Sequence, residues 1–450
     1  MKRILQKIPR YKTLLNAPRF LSDPIRLMEE NIQRYGDTYA FMMGKHPAIF
    51  TADPGLIQHV LQKQHKKYIK SPPHFEKLAK YLGYGLLTID GDHWLRQRRL
   101  IQPGFSRKRI AGLTSIMNTV IDEFLVDLDH RIEAGPIDLY EEMQQLAFNL
   151  VARSIFNLHI DQDQLSQISA QIAYLQQYVI KEIRTPFLLP WLQLSGQKQA
   201  AERAASEADA IILQFIRERR QSTETYDDLL QMLLEARYED TGAPMSEQQL
   251  LDEVKILFVA GHDTTGNALS WIWHLLAQHP EWTQQLRLEI DQVLGGKLPT
   301  YADIPNLSKT RQVIEEAMRL YPPAWITDRV AIADDHYQGL DIPEGTMLIT
   351  FFYGAHHHPD YWSEPNRFRP ERFAQAAGGN NRRLAYMPFG AGPRLCIGHH
   401  FAILEMTLVL VRMVGRYDWE PQYETMEKLA LVTLKPKQEV RMQAKKKSES

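Results

Sequence analysis

The chain has 450 residues, with 53 Lys and Arg against 54 Asp and Glu, for a formal net charge of −1. So even a balance gives no bulk attraction to nucleic acid. Hydrophobic residues make up 44% and cysteine occurs once, so the composition is globular, internal disulfides are excluded, and a reducing compartment fits; the absence of targeting signals is what makes a cytoplasmic location the expectation.

The opening stretch MKRILQKIPRYKTLLNAPRF has no apolar run long enough for a signal core or a membrane span, and residues 1–19 read as a frayed N-terminal segment. AFMMGKHPAIFTA (40–52) predicts a hairpin turning at Gly44. From 110 to 320 apolar residues recur at spacings of three and four with little glycine, which predicts helix. Residues 329–356 read as short strands joined by turns, 431–442 as a final strand pair, and 443–450 as a disordered tail. The fold class is therefore mainly α with a small β portion at its side, in one domain over 20–442.

One predicted helix stands out. Ser246-Glu247-Gln248-Gln249 has a capping-box pattern and Pro280 marks a stop, so the helix between them is roughly 50 Å long and crosses the whole body. Its centre, AGHDTTG (260–266), sets glycine, threonine and Asp263 among apolar turns. Burying such polar groups without partners costs several kcal/mol, so this turn is expected to be distorted and to line a cavity.

The only cysteine lies in FGAGPRLCIGHH (389–400). Gly390, Gly392 and Pro393 make this segment an irregular loop. From Cys396 onward Phe401, Leu404, Leu408 and Val411 form one helical stripe, so Cys396 stands at a helix N-terminus, where a thiolate is stabilised. Gly398 admits a flat group nearby, and Arg394 offers a charged fork for a carboxylate. Three readings compete: a small buried hydrophobe, a nucleophile served by His399 or His400, and a thiolate ligand to haem iron. The first leaves the glycine-built loop unexplained. The second leaves Phe389 and Arg394 without a role. The third uses all of them.

With these residues in view, the chain resembles the cytochrome P450 family. Phe389, Gly392, Arg394, Cys396 and Gly398 match its haem signature, and Phe401, Ala402 and Glu405 continue it. Four further motifs follow the family's order: WLRQR (94–98), AGHDTT (260–265), EAMR (316–319) and PERF (370–373). The resemblance runs from about residue 20 to about residue 442. It implies the P450 fold, with the long helix across the distal haem face and the cysteine loop on the proximal face, and haem b carrying Cys396 as axial thiolate and metal ligand. It further implies that Trp94, Arg98, Arg329 and Arg394 serve the haem propionates and that Ala260 leaves room for O2. Asp263 and Thr264 become the catalytic pair that delivers protons. Glu316, Arg319 and Arg372 become a structural ion triad that fixes the cysteine loop.

By the same resemblance, pocket-lining segments include Phe75, Leu86, Tyr174, Phe187, Leu188, Trp191, Val259, Ala324, Trp325, Ile326 and Leu431. Their apolar character implies a hydrophobic organic substrate, with Arg184 the candidate anchor for a carboxylate. The chain ends shortly after the domain, so electrons are expected from a separate ferredoxin, flavodoxin or reductase. WLRQRRLIQPGFSRKR (94–109) carries six basic residues and no acidic one, which suits docking of an acidic partner. The implied activity is monooxygenation, hydroxylation or epoxidation, without nucleic acid or a transmembrane anchor. A peroxide-driven variant and a haem sensor without turnover are the alternatives, and the Asp263–Thr264 pair speaks against both.

Overall fold

A computed structural model describes residues 3–43, 46–158, 162–185, 188–224, 226–374 and 384–447. The helical body is built on the long helix Glu247–Gln278. The hydroxyl of Ser246 caps its start by accepting the N–H of Gln249 at 3.1 Å. Pro280 does more than stop it, for it occupies the first turn of the next helix, Pro280–Leu294. Against the long helix lies Leu139–Phe156, capped by Asp138 at its start and ended by Asn157 in the left-handed region at φ +46°. The cysteine helix His399–Arg416 and the helix Ser308–Leu320 complete the core around it.

The expected distortion at AGHDTTG does not occur: helical hydrogen bonding runs through it unbroken. Its glycines serve close packing. A Cβ on Gly261 would stand 2.8 Å from Val151, and one on Gly266 would stand 2.8 Å from the Gln144 carboxamide, both on the crossing helix. The hydroxyl of Thr264 satisfies itself by donating back to the Ala260 carbonyl at 2.7 Å.

A five-stranded sheet flanks this body, in the order Thr38–Met43, His46–Thr51, Met347–Thr350, Thr327–Ala331, Tyr68–Ile69. The first two strands form the expected antiparallel hairpin, although Gly44 itself lies outside the described residues. His46–Thr51 then runs parallel to Met347–Thr350, with Phe50 opposite Ile349. Phe352–His356, read as strand from the sequence, is a short helix instead.

Both termini depart from expectation. The N-terminal segment is docked: the Ile8 N–H donates to the Ala40 carbonyl, the Ala40 N–H donates to Gln6, and Ile8 is buried. The stretch 431–442 is not one strand pair. Leu434–Pro436 pairs with Lys428–Ala430, whereas Arg441–Lys446 pairs with Tyr417–Pro421. That last strand runs through the start of the presumed tail. It sets Ala444 opposite Trp419, and Lys445 and Lys446 reach Glu420 and Asp129 at 2.6 and 2.8 Å.

Candidate active site

The cysteine loop owes its shape to two glycines with positive φ, Gly390 at +76° and Gly392 at +72°. The Cys396 N–H donates to the Phe389 carbonyl at 3.0 Å, which closes the loop. Cys396 precedes the N-cap Gly398 by two residues, so it sits just outside the helix that the sequence placed it on. Its side chain is exposed on the loop. Desolvation pushes its thiol pKa up, while the Gly398 N–H and the charge of Arg98 pull it down.

The histidines do not act on the sulfur. The Nδ1 of His399 lies 2.9 Å from the carbonyl oxygen of Cys396, and Arg107 approaches the Nε2 of His400 at 3.4 Å. A cysteine–histidine nucleophile is therefore not assembled here. A Cβ on Gly398 would meet only Phe105, at an ordinary 3.7 Å.

Beside the cysteine lies a cluster of cations. Arg98 donates to the Leu395 carbonyl at 3.0 Å. Arg394 pairs with Asp90 and lies over the Trp94 ring, 4.3 Å from its centroid. Arg329 is buried and donates to the Asp328 carbonyl at 2.6 Å, and desolvation brings its pKa down to about 10. Two residues that sequence reasoning missed belong here. Lys70 is buried, and desolvation with the charges of Arg329 and Arg394 drives its pKa well down. His74 faces Asp328 at 3.2 Å. Asp328 and Asp90 are the acidic neighbours that counter this fall at Lys70. Cations in such excess, with Lys70 and Arg329 buried and repelling one another, fit a group that brings two carboxylates, and the haem of the resemblance carries two propionates.

Across the body, the long helix presents a gap in its burial. From Leu250 to Leu276 every residue is buried except Ala260, Gly261 and Thr264. These three share one side of one turn, and on that side the helix is not fully covered by protein. Asp263 is buried, and its Oδ2 accepts from the Thr433 hydroxyl at 2.6 Å. On the other side Thr265 neighbours the fully buried Glu405 of the cysteine helix, whose carboxyl pKa burial pushes well up.

The triad forms as expected and is buried. Arg319 Nε and Nη2 hold both oxygens of Glu316 at 2.7 and 2.8 Å, and Arg372 Nε adds a third contact at 3.2 Å.

The expected pocket residues divide. Phe75, Leu86, Ile326 and Leu431 are half-buried and Ala324 is exposed. Val259 and Trp325 are packed into hydrophobic core clusters, and the Trp325 Nε1–H donates to the Leu431 carbonyl at 3.1 Å. Tyr174 turns outward and donates to the Gln197 carbonyl, and Trp191 is half exposed under the Lys181 ammonium. Leu188 is half-buried, and Phe187 lies outside the described residues. Arg184, the candidate anchor, donates to the Ala430 carbonyl at 2.7 Å and lies over the Phe20 ring.

No helix among the described residues is long and apolar enough to cross a membrane. Residues 5–444 match the protein family described as Cytochrome P450. The chain is 33% identical over 396 residues to cyclooctatin synthase of Streptomyces melanosporofaciens, covering 87% of this chain and 84% of that one. It is 31% identical over 392 residues to cyclooctat-9-en-7-ol 5-monooxygenase of the same organism, with the same coverage of 87% and 84%. It is 29% identical over 402 residues to pentalenene oxygenase of Streptomyces avermitilis, covering 89% and 88%. With the family matched over nearly the whole length and the cysteine loop at the head of its own helix, the chain belongs to the cytochrome P450 family of haem-thiolate monooxygenases.

Proposed function

We propose that this enzyme oxygenates a terpenoid-like hydrocarbon framework, with Asp263 and Thr264 handling protons and electrons arriving from a separate protein at the basic face. As a cytochrome P450 it binds haem b through Cys396, and the haem when bound supplies dioxygen activation and the transfer of one oxygen atom to a hydrophobic substrate. Names of the relatives point to terpenoid substrates for those proteins. The mixed apolar surface of Phe75, Leu86, Ile326 and Leu431 suits a molecule of that kind here.

The residues of the chain divide the labour. Trp94, Arg98, Arg329 and Arg394, with Lys70 and His74, would hold the two propionates of the haem. Phe389 and Gly398 would frame the thiolate of Cys396. Ala260 keeps the open turn of the long helix free of bulk, while Gly261 lets Val151 of the crossing helix pack close. Thr264 offers a hydroxyl whose proton rests on the Ala260 carbonyl until a better acceptor arrives. Asp263 stands next to it as the acid that restores that proton. Carrying this reading is the burial gap itself, which leaves Thr264 as the single hydroxyl on the open turn.

The test is Thr264→Ala in the haem-loaded enzyme, run with a surrogate ferredoxin and its reductase. Product per NAD(P)H should fall at least several-fold while hydrogen peroxide rises, with the substrate-induced spin shift intact. Unchanged coupling would remove Thr264 from proton delivery.

A further inference from the structure

Asp263 is held from a direction the sequence does not show. Its Oδ2 accepts from the Thr433 hydroxyl at 2.6 Å. The Thr433 oxygen in turn accepts from Asn267 Nδ2 at 3.1 Å, and Asn267 Oδ1 accepts from Gln144 Nε2 at 2.8 Å. Every donor in this chain points toward Asp263. A hydroxyl has one proton, and here it goes to the carboxylate, so the oxygen is left free to receive Asn267. Among the described residues the Oδ1 of Asp263 has no hydrogen-bond partner.

The three residues come from three places. Gln144 lies on the helix Leu139–Phe156, Asn267 lies one turn beyond Asp263, and Thr433 lies in the turn between Lys428–Ala430 and Leu434–Pro436. Gly266 is what lets Gln144 in, since a Cβ there would collide with its carboxamide. The turn is itself fixed on every side. Its Ala430 carbonyl accepts from Arg184, its Leu431 carbonyl from Trp325, and the Leu434 N–H donates to the Pro323 carbonyl at 2.9 Å. Thr433 and Asn267 are both buried, so the chain is shielded from competing water.

We propose that Thr433 is the positioning residue of Asp263: the oriented chain Gln144–Asn267–Thr433 anchors one carboxylate oxygen and leaves the other to exchange protons with the open turn. This rests on the reading that Asp263 delivers protons. Anchoring Oδ2 fixes the carboxylate plane, so Oδ1 is presented in one orientation and is not lost to rotation about the side chain.

The experiment compares haem-loaded Thr433→Val, Thr433→Ser, Asn267→Leu, Gln144→Leu and Asp263→Asn, with a sesquiterpene hydrocarbon chosen for its spin shift. Thr433→Val should lower product per NAD(P)H about three- to tenfold and release the balance as peroxide, with the spin-shift Kd within twofold of wild type. Thr433→Ser should restore coupling to within twofold. Losses should be graded, Thr433→Val over Asn267→Leu over Gln144→Leu. Thermal melts give a readout apart from turnover: the Thr433→Val, Asp263→Asn double variant should lose less Tm than the sum of the single losses. Additive melting losses, or full coupling in Thr433→Val while Asp263→Asn is uncoupled, would overturn the proposal. Full coupling in Asp263→Asn would instead overturn the reading beneath it. Should Thr433→Val fail to hold haem, the graded pair Asn267→Leu and Gln144→Leu still decides: equal, normal coupling in both refutes the chain.

Discussion

Arg319 donates to the backbone carbonyl of His356 at 2.9 Å, and through that contact the buried triad reaches the cysteine loop. The same histidine accepts the Met387 N–H at its Nε2, also at 2.9 Å, and Met387 begins the loop by accepting the Gly390 N–H. Tyr386 adds a second tie, donating to the Glu315 carbonyl at 3.0 Å. The order from Glu316 to Arg319 to His356 to Met387 is a rigid bracket that runs from the helix Ser308–Leu320 to the metal ligand's own loop.

Removing its charge centre should therefore act on haem retention. Glu316→Ala strips the buried Arg319 of its carboxylate and takes one contact from Arg372, and breaking a buried pair in this way typically costs about 3–5 kcal/mol. The variant is expected to purify with little haem and to melt well below the wild type. A normal ratio of Soret to protein absorbance would contradict the bracket.

His356 adds a pH dependence. Burial, then the Arg319 charge, brings its pKa from 6.5 down to about 3, so the folded ring is neutral and free to accept from Met387. Below about 6.5 the unfolded chain takes up a proton that the fold refuses, so stability falls as pH drops from about 6.5 toward 3, at about 1.4 kcal/mol per pH unit. Above 6.5 this group contributes no slope. His274, brought down to about 4 by burial, acts in the same sense. His356→Gln keeps an acceptor for Met387 and removes one titration, so between pH 6 and about 4.5 its melting temperature should depend less steeply on pH. Equal slopes in the two proteins would sink the assignment.

The two loop glycines should respond differently to a methyl group. At Gly390 an added Cβ meets nothing within 4 Å, so Gly390→Ala carries only the left-handed backbone cost, about 1–2 kcal/mol. At Gly392 the Cβ would stand 2.0 Å from the Leu61 carbonyl oxygen, a backbone atom that cannot step aside. Gly392→Ala should displace the loop and abolish the long-wavelength Soret band of the reduced, carbon monoxide-treated protein, whereas Gly390→Ala should keep it. Equal spectra would show that Leu61 yields.

Local patterns made much of this legible. Ser246 and Gln249 announce the long helix because a cap needs only four consecutive residues, and the FGAGPRLC loop declares itself because its backbone needs glycine. Glu316 and Arg319 are adjacent on a helix, but only the resemblance brought in Arg372, more than fifty residues away. Lys70, His74 and Thr433 were not legible. Their partners Asp328 and Asp263 lie in distant segments, and no periodicity records a contact that only the folded chain makes. The final strand was hidden for the same reason. Its lysines resemble a solvated tail until Trp419, Glu420 and Asp129 are placed beside them.

The basic face gives the last prediction, and the structure narrows it. Of the six cations in 94–109, Arg96 pairs with Asp240 at 3.0 Å and Arg109 with Asp227 at 3.4 Å, while Arg98 turns toward Leu395. Arg99, Arg107 and Lys108 remain exposed. Arg107 lies beside His400, four residues from the metal ligand, so an acidic electron donor docked there stands close to the cysteine loop. Steering by exposed charge is screened over about 8–10 Å at physiological salt. The rate of haem reduction by an acidic ferredoxin should therefore fall about tenfold as ionic strength rises from about 0.02 to about 0.2 M. Charge reversal at Arg107 and Lys108 should slow it at low salt and flatten that dependence, with substrate binding unchanged. A rate indifferent to both salt and charge reversal would move the docking site elsewhere on the protein.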